Sequence, residues 1–394
     1  MSRSERVTAK QAAARWGISE STARRTLANV TAVDRELASG AMVYEWRTAQ
    51  AARSALPGKG RRTDISIRKK GHGVIRLPFS ITINPLTKSV VVTIHSNKGG
   101  VGKTTLVHLL AYYLGILGFK VLLVDYDGQC NLSTNCGFAM AGPDKDLYTV
   151  DDILMKTRPG FAGECIEPVR WTVPGPDGTL VPDPVNERVF LVPGHPELHE
   201  RETEVAKPDA RFRLREGLVG VKDDFHIVLV DAPPGKGFLP DSAWAASDAV
   251  FSITQLYYNE IEGAQKSRNR LLQYRESLGV PNLDMVGVII NEHQGRTEQD
   301  ATLGIIIKSF GEDRVWVDQS LPSREYIRQL ITRSDHMSFG GLGTPGSPVG
   351  RPSYRVELDW VMCRMLSRFL PAIGFEIPTD VNKVLAAAKE ASHA

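Results

Sequence analysis

Short runs of apolar residues, each ended by a polar or glycine-rich turn, recur along the chain from residue 90 onward. The first two runs cover 90–94 and 121–124, and leucines with helical spacing lie between them. The later runs cover 226–231, 249–254 and 285–291. Runs that are apolar throughout are typical of strands buried on both faces of a parallel sheet. The pattern therefore predicts an α/β fold that opens with a strand–loop–helix–strand unit.

The turn after the first strand is rich in glycine and hydroxyl residues. Its glycines allow backbone N–H groups to point at phosphate oxygens, and the following helix adds the positive end of its dipole. Lys103 is spaced to reach the β- and γ-phosphates of a nucleotide, and the Thr104 hydroxyl is spaced to bind Mg²⁺. The candidate phosphate cradle consists of Lys98, Gly99, Gly100, Val101, Gly102, Lys103, Thr104 and Thr105. A glycine turn without a ligand is the alternative, but it leaves the lysine and the hydroxyls unexplained.

This loop departs from the common phosphate-binding spacing at its start. Asn97 stands six residues before Lys103, where the usual first glycine is expected, and Lys98 adds a second lysine. In both respects the loop resembles the deviant Walker A motif of the ParA/MinD family.

Three further segments, in the family's order, extend the resemblance to roughly residues 90–370. Residues 125–131 resemble switch I, with Asp127, Gln129 and Asn131 in matching places. Residues 189–198 are similar to a strand and loop of the partition members, and 226–235 to the Walker B and switch II segment. Gly128 stands where proline is frequent, so we expect a looser switch I that keeps its chemistry.

The resemblance implies a doubly wound, mostly parallel P-loop NTPase fold with ATP and Mg²⁺ as cofactors. Thr104, Asp127 and Asp231 are the implied metal-site residues, with Asp231 acting through water. Lys103 is implied to hold the γ-phosphate, and Asp127 to orient or deprotonate the attacking water. Lys98 is implied to reach the partner's phosphates across a two-fold interface, so that an ATP-dependent homodimer forms. The implied catalytic residues are thus Lys98, Lys103 and Asp127.

Two positions farther along the chain are implied to border the adenine base. Asn291 ends a predicted strand, at the edge where ligands of open α/β sheets gather. Pro322 lies in the segment 321–324, which resembles the family's second segment beside the base. An ordinary strand-terminating asparagine is the alternative for Asn291.

Charge is unevenly distributed along the chain. The net charge of +3 over 394 residues divides into +11 for residues 1–89, from 17 Lys and Arg against 6 Asp and Glu, and −8 for the remainder. Such asymmetry indicates a basic module that meets nucleic acid. The four cysteines show no C-x-x-C spacing, and the chain has no long apolar run and no signal-peptide core. We therefore expect neither disulfides nor a membrane span, and a cytoplasmic, nucleoid-associated location.

Residues 1–56 are predicted to form a helix-turn-helix DNA-binding module. Thr8 and Gln11 have the spacing of a capping box, and Gly17 interrupts the pattern before a second helix. That second helix is expected to enter a major groove. The residues it would present there are Glu20, Ser21, Arg24 and Arg25, and the candidates for DNA contact are Ser21, Arg24 and Arg25. A helical hairpin used only for packing or dimerisation is the alternative.

The segments between these motifs carry weaker patterns. The pattern of residues 29–55 predicts helix. We expect this segment to form the winged or helical remainder of the N-terminal module. Residues 57–89 read as a basic linker with a lead-in strand at 75–83, serving either as a phosphate contact or as a solvated tether. Residues 141–187 are expected to be irregular apart from one helix near 150–155.

The C-terminal quarter is rich in arginine. In partition members such residues form a DNA surface that ignores base sequence, although each arginine could equally be solvated or ion-paired. The matching candidates are Arg324, Arg328, Arg351 and Arg355. The ATPase domain is expected to span 90–375, followed by a tail at 376–394.

Together these features predict a ParA-type partition ATPase. It is expected to dimerise on ATP, bind DNA and segregate plasmid or chromosome DNA with a ParB-like centromere-binding protein, while repressing its own operon. Its basal hydrolysis is expected to be weak and to be stimulated by DNA and by the partner. An ATP-responsive repressor without a partition role is one alternative. A MinD-like positioning ATPase is the other, but the segment 379–393 offers too thin an apolar face to anchor in a membrane.

Overall fold

The computed structural model describes residues 6–16, 34–35, 42–45, 89–174, 179–206, 209–292, 297–317, 321 and 352–375. The chain divides into two compact units, Met1–Arg61 and Arg62–Ala394. The domain boundaries expected from the sequence remain predictions.

The N-terminal unit contains strand β1 (Arg6–Thr8), helix α1 (Ala9–Trp16), and strands β2 (Asp34–Arg35) and β3 (Met42–Glu45). The strands form an antiparallel sheet in the order β1-β3-β2. The expected capping box is present, since the Thr8 N–H donates to Gln11 Oε1 at 2.8 Å and the Gln11 N–H donates to Thr8 Oγ1 at 3.3 Å. The helical expectation for 29–55 is wrong at β2 and β3. A β-hairpin there agrees with the winged alternative instead.

The larger unit is built on an eight-stranded sheet. Its strands are β4 (Val90–His95), β5 (Val121–Asp125), β6 (Glu167–Pro168), β9 (Val189–Val192), β10 (Ile227–Asp231), β11 (Ala249–Gln255), β12 (Met285–Asn291) and β13 (Val315–Trp316). A separate antiparallel hairpin pairs β7 (Thr172–Pro174) with β8 (Leu180–Pro182). The order of the large sheet is β13-β12-β11-β4-β10-β5-β9-β6, and every pair is parallel except β6 with β9. The predicted doubly wound, mostly parallel sheet is therefore confirmed.

Helices cover both faces of this sheet. They are α2 (Lys103–Ile116), α3 (Asn131–Asn135), α4 (Val150–Lys156), α5 (Arg213–Gly217), α6 (Phe238–Ala245), α7 (Tyr258–Tyr274), α8 (Thr297–Phe310) and α9 (Pro352–Ala372). Short 3₁₀ segments are Phe161–Glu164, Pro184–Glu187, Pro196–Ala206, Ala210–Phe212, Lys222–Asp224 and Glu312–Arg314. The helix expected near 150–155 is α4, but the region 141–187 also contains β6, β7 and β8. It is therefore less irregular than predicted.

Alternation along the buried strands builds a core on each face. Val92 and Ile94 of β4 pack with α2 and α9, whereas Val91 packs on the opposite face with α4, α5 and α6. A third cluster joins β11 and β12 to α7 and α8. Helix α2 is apolar on all sides and almost entirely buried, as expected of a helix enclosed by other elements. The loop between β4 and α2 is therefore held at both ends by packed core elements.

The strand order creates a switch point at β4 and β10. The chain runs from β4 to β5 and β9 on one side, then returns through β10 and continues to β11, β12 and β13 on the other. Ligands of open α/β sheets bind at the carboxyl ends of the strands beside such a point. The glycine-rich loop lies at the carboxyl end of β4, which is where this rule places a ligand.

Candidate nucleotide-binding and catalytic site

The backbone of the glycine-rich loop adopts conformations that glycine allows. Gly100 and Gly102 have φ of 79° and 97°, in the left-handed region, and Gly102 immediately precedes α2. A Cβ atom on Gly102 would lie 2.8 Å from Asn291 Nδ2, so this position also lacks room for a side chain. Gly99 is exposed, and a Cβ atom there would meet nothing within 4 Å. The loop is thus closed against β12 on its inner side and open at its outer side.

Lys103 lies in a buried carboxylate environment. Its Nζ donates to Asp231 Oδ1 at 2.5 Å and lies 3.5 Å from Asp127 Oδ2. Burial alone lowers the pKa of Lys103, but the Asp231 and Asp127 carboxylates outweigh it and raise that pKa above its ordinary value. The amine is therefore positively charged, as a phosphate ligand must be. Parallel pairing of β4 with β10 brings the two partners together across 128 residues of chain.

Thr104 shares the same carboxylate. Its hydroxyl donates to Asp231 Oδ2 at 2.7 Å, so Asp231 joins the first turn of α2 to the end of β10. No group of three or more His, Cys, Asp or Glu side chains in the described ranges could hold a metal ion without help. Hydroxyl and carboxylate oxygens suit Mg²⁺, which commonly takes one or two protein ligands and completes its shell with phosphate and water. Thr104 and Asp231 fit that donor set.

Asp127 begins the turn after β5, at the same edge of the sheet. Its Oδ1 accepts the Gln129 N–H at 3.1 Å, while its other carboxylate oxygen is the one that faces Lys103. Asp127 is only partly buried, so solvent can reach its carboxylate. The structure brings Lys103, Thr104, Asp127 and Asp231 together at this edge.

Asp125 is a further carboxylate of this cluster, and motif matching did not select it. It is fully buried, and its Oδ2 accepts both the N–H and the hydroxyl of Ser133 at 2.7 Å. Burial, together with the charge of Asp231, raises the pKa of Asp125 to about 7. Its position as the last residue of a buried strand was the available signal.

Lys98 does not share the environment of Lys103. Its side chain is 67% exposed, and its Nζ lies 2.9 Å from Oε1 of Glu260, which is 4% exposed. Glu260 lies in the first turn of α7, just beyond the carboxyl end of β11. No motif pointed to Glu260, and only its place after a strand end hinted at the site.

The nitrogen and the oxygen of the Asn291 side-chain amide each make a hydrogen bond within the protein. Its Nδ2 donates to the Val101 carbonyl at 2.9 Å, and its Oδ1 accepts the Leu321 N–H at 3.0 Å. The side chain therefore connects the phosphate loop to residue 321. This arrangement supports a structural role, and the expected contact with adenine stays a prediction.

Several predicted site residues lie outside the described residues. These are Pro322 and the DNA-binding candidates Ser21, Arg24, Arg25, Arg324, Arg328 and Arg351. The backbone of Arg355 belongs to α9, but its side chain is not described. The lead-in strand at 75–83 and the tail at 376–394 also lie outside the described residues.

The site is a glycine loop between a buried parallel strand and a buried helix. A lysine, a threonine and aspartates at strand ends surround it. This arrangement defines the P-loop class of α/β proteins. A family model of an AAA domain matches residues 89–280. The chromosome partitioning protein ParA of Caulobacter vibrioides is 30% identical over 263 residues, which cover 66% of this chain and 87% of that protein. The chromosome-partitioning ATPase Soj of Thermus thermophilus is 29% identical, with coverage of 70% and 96%.

Solved structures agree on the fold. The ATP complex of a Cyanothece McdA variant aligns with a TM-score of 0.55 at 17% identity, covering 71% of this chain and 96% of that one. A putative plasmid partition protein of Borrelia burgdorferi bound to AMPPNP gives 0.50 at 18% identity, covering 73% and 100%. The likeness to the Caulobacter ParA shows that the chain belongs to the ParA/MinD family of P-loop ATPases.

Proposed function

We propose that this protein is a DNA-partition ATPase that binds ATP with Mg²⁺, dimerises on it, and hydrolyses it slowly. The observation that carries the proposal is the convergence of Lys103, Thr104, Asp127 and Asp231 at one strand edge, beside a second lysine at position 98. The partition duties of its relatives in Caulobacter and Thermus support the wider role.

The residues divide the chemistry between them. Phosphoryl transfer depends mainly on positioning and charge neutralisation. The raised pKa of Lys103 keeps a positive charge available for the γ-phosphate. Thr104 and Asp231 would hold Mg²⁺, which neutralises charge on the phosphate oxygens. Asp127 is a partly exposed carboxylate within reach of both solvent and the lysine, so it would orient the attacking water or accept its proton.

The second lysine supports dimerisation as the output of ATP binding. Lys103 is buried against Asp127 and Asp231 of its own chain, whereas Lys98 is largely exposed and therefore able to reach a second copy. We expect Lys98→Ala to bind ATP but to remain monomeric in sedimentation velocity runs with ATP and Mg²⁺. Lys266→Ala, which removes an exposed lysine of α7, is the matched control and should dimerise normally. If Lys98→Ala forms the ATP dimer as the wild type does, Lys98 has no role across the dimer interface.

Two DNA surfaces complete the proposed function. The N-terminal unit, with its basic charge and its strand–helix–hairpin order, would read an operator and repress the protein's own operon. The ATPase unit would bind nucleoid DNA without sequence preference, through arginines such as Arg324 and Arg328. A ParB-like centromere-binding protein would stimulate hydrolysis and so release the dimer.

Gel-shift titrations on operator and scrambled duplexes at two salt concentrations test this division. Changing Arg24 and Arg25 together to alanine should abolish operator preference, because base contacts carry about 1–3 kcal/mol of discrimination each. The same variant should keep salt-sensitive, ATP-dependent binding to random DNA, because that binding rests on phosphate contacts. Loss of both binding modes would leave the N-terminal module as the only DNA surface.

Hydrolysis rates distinguish this proposal from that of an ATP-responsive repressor. Slow basal turnover should rise when DNA and the centromere-binding protein are added together, since a supplied cation can raise phosphoryl-transfer rates by ~10³–10⁵. A repressor without a partition role would keep operator binding and show no such acceleration.

A further inference from the structure

Lys98 is held by its own subunit in this structure. We propose that Glu260 is the positioning residue for Lys98, and that their contact must break before Lys98 can reach phosphates bound to a second copy of the chain. The inference rests on the proposed role of Lys98 across a dimer interface. The inference adds that Glu260 controls the affinity of the dimer.

The contact between the two side chains is asymmetric. Lys98 Nζ lies 2.9 Å from Glu260 Oε1, yet the lysine is largely exposed and the glutamate is buried. An exposed ammonium group regains water when it leaves, but a buried carboxylate that loses its counter-charge is left poorly solvated. Lys98 is the cation paired with Glu260 among the described residues. When Lys98 leaves to bind a second copy, the unpaired Glu260 carboxylate therefore adds a free-energy cost.

Packing fixes Glu260 against the start of the phosphate loop. A Cβ atom on Gly263, one turn farther along α7, would lie 2.1 Å from Asn97 Nδ2 and 2.9 Å from Asn97 Cβ. Only glycine lets α7 approach this closely, because the obstruction includes the base of the Asn97 side chain. The N-terminal part of α7 is thus packed on Asn97, the residue before Lys98. The backbone of Glu260 is therefore held beside Lys98.

The surface beside this contact is apolar and exposed. Tyr257 and Tyr258, three and two residues before Glu260, are 60% and 66% exposed. Aromatic side chains of this kind are enriched where a protein surface meets a partner. Release of Lys98 would therefore occur at the rim of a surface suited to a second copy of the chain.

Glu260 competes with the phosphates bound to a second copy for Lys98, and this competition weakens the dimer. The apparent affinity of a state that needs a released Lys98 is reduced by the fraction of molecules in which Lys98 is released. A two-fold symmetric dimer breaks two such contacts. Removing the charge of Glu260 should therefore tighten the dimer by about tenfold, since two partly exposed ion pairs are lost.

Sedimentation velocity of the full chain with AMPPNP and Mg²⁺ tests this inference with Glu260→Gln, which keeps the side-chain shape. Glu262→Gln is the matched control, because it breaks the exposed ion pair with Lys266 on the same helix and leaves Lys98 untouched. We expect Glu260→Gln to lower the dimer dissociation constant about tenfold and Glu262→Gln to leave it unchanged. Weaker or unchanged dimerisation of Glu260→Gln would overturn the inference.

A second readout follows Lys98 directly. Acylation of surface amines, mapped by mass spectrometry on nucleotide-free protein, should modify Lys98 faster in Glu260→Gln than in the wild type, because the amine is no longer held by a carboxylate. Glu260→Asp retains the charge and should stay near the wild type in both assays. Equal Lys98 labelling in all three proteins would overturn the inference.

The two proposals fail in different ways. If Lys98→Ala still forms the ATP dimer, the role across the interface fails, and the Glu260 inference falls with it. If Lys98→Ala is monomeric while Glu260→Gln behaves as the wild type, only the Glu260 inference fails.

Discussion

Asn291 offers the sharpest test of how the phosphate loop is held. Its amide donates to the Val101 carbonyl and accepts from the Leu321 N–H, at 2.9 and 3.0 Å, and all three residues are buried. Asn291→Ala removes both bonds and leaves two buried backbone groups without their partner. Each such group costs about 1–3 kcal/mol, so we expect the free energy of unfolding to fall by about 2–6 kcal/mol.

Urea denaturation of the nucleotide-free protein, followed by circular dichroism, measures this loss. Asn282→Ala is the matched control, because Asn282 is exposed just before β12 and should change stability by less than about 0.5 kcal/mol. A loss below about 1 kcal/mol for Asn291→Ala would refute the bridging role, because two buried groups would then have found other partners.

Nucleotide titrations separate this bridging role from the predicted contact with adenine. If the side chain also contacts the base, Asn291→Ala should lose affinity for ATP more than for inorganic triphosphate. An equal loss for both ligands would assign the whole effect to the loop, because triphosphate carries no base.

Three further predictions concern the loop and its carboxylates. Asp127→Asn should bind ATP and dimerise but hydrolyse it ~10²–10⁴-fold more slowly, as loss of a general base predicts; near-normal turnover would move that role to another residue, such as Gln129. Gly102→Ala should lower stability by more than ~1 kcal/mol because of its positive φ and its contact with Asn291, whereas Gly99→Ala should not; equal losses would contradict the geometry. Burial raises the pKa of Asp125 to about 7, so the folded chain holds a proton there that the unfolded chain releases above about pH 4. The stability of the wild type relative to Asp125→Asn should therefore fall as the pH rises from 4 through 7, by up to ~4 kcal/mol, and a pH-independent difference between their denaturation curves would disprove it.

Local patterns in the chain were sufficient for the first half of the site. The buried strand at Val90–His95, the glycine turn and the helix that begins at Lys103 follow one another directly, so their spacing alone predicted a phosphate cradle. Asp127 and Asp231 could be placed for a related reason, because each follows or ends an apolar run and parallel strands bring such ends to one edge. The resemblance then supplied roles that spacing cannot give.

Local patterns were weaker where the chain is short, polar or rich in proline. The hairpin of β7 and β8 contains Pro174 and Pro182, and these prolines led to the prediction of an irregular segment. The strands of the N-terminal unit are two to four residues long, too short for a period of two to be read. These elements are stabilised by pairing with distant residues, which single-sequence periodicity does not contain.

Contacts between distant segments were decided by the tertiary structure alone. Because β10 lies between β4 and β5, the Asp231 carboxylate contacts Lys103. The residue pattern of these strands does not predict their order in the sheet. Packing of α7 on Asn97 brings Glu260 to Lys98 across 162 residues, through a glycine that looks unremarkable in the sequence. The physical reason is common to both cases. Periodicity specifies which face of an element is buried, but the partner it is buried against is chosen by shape and charge in the assembled core.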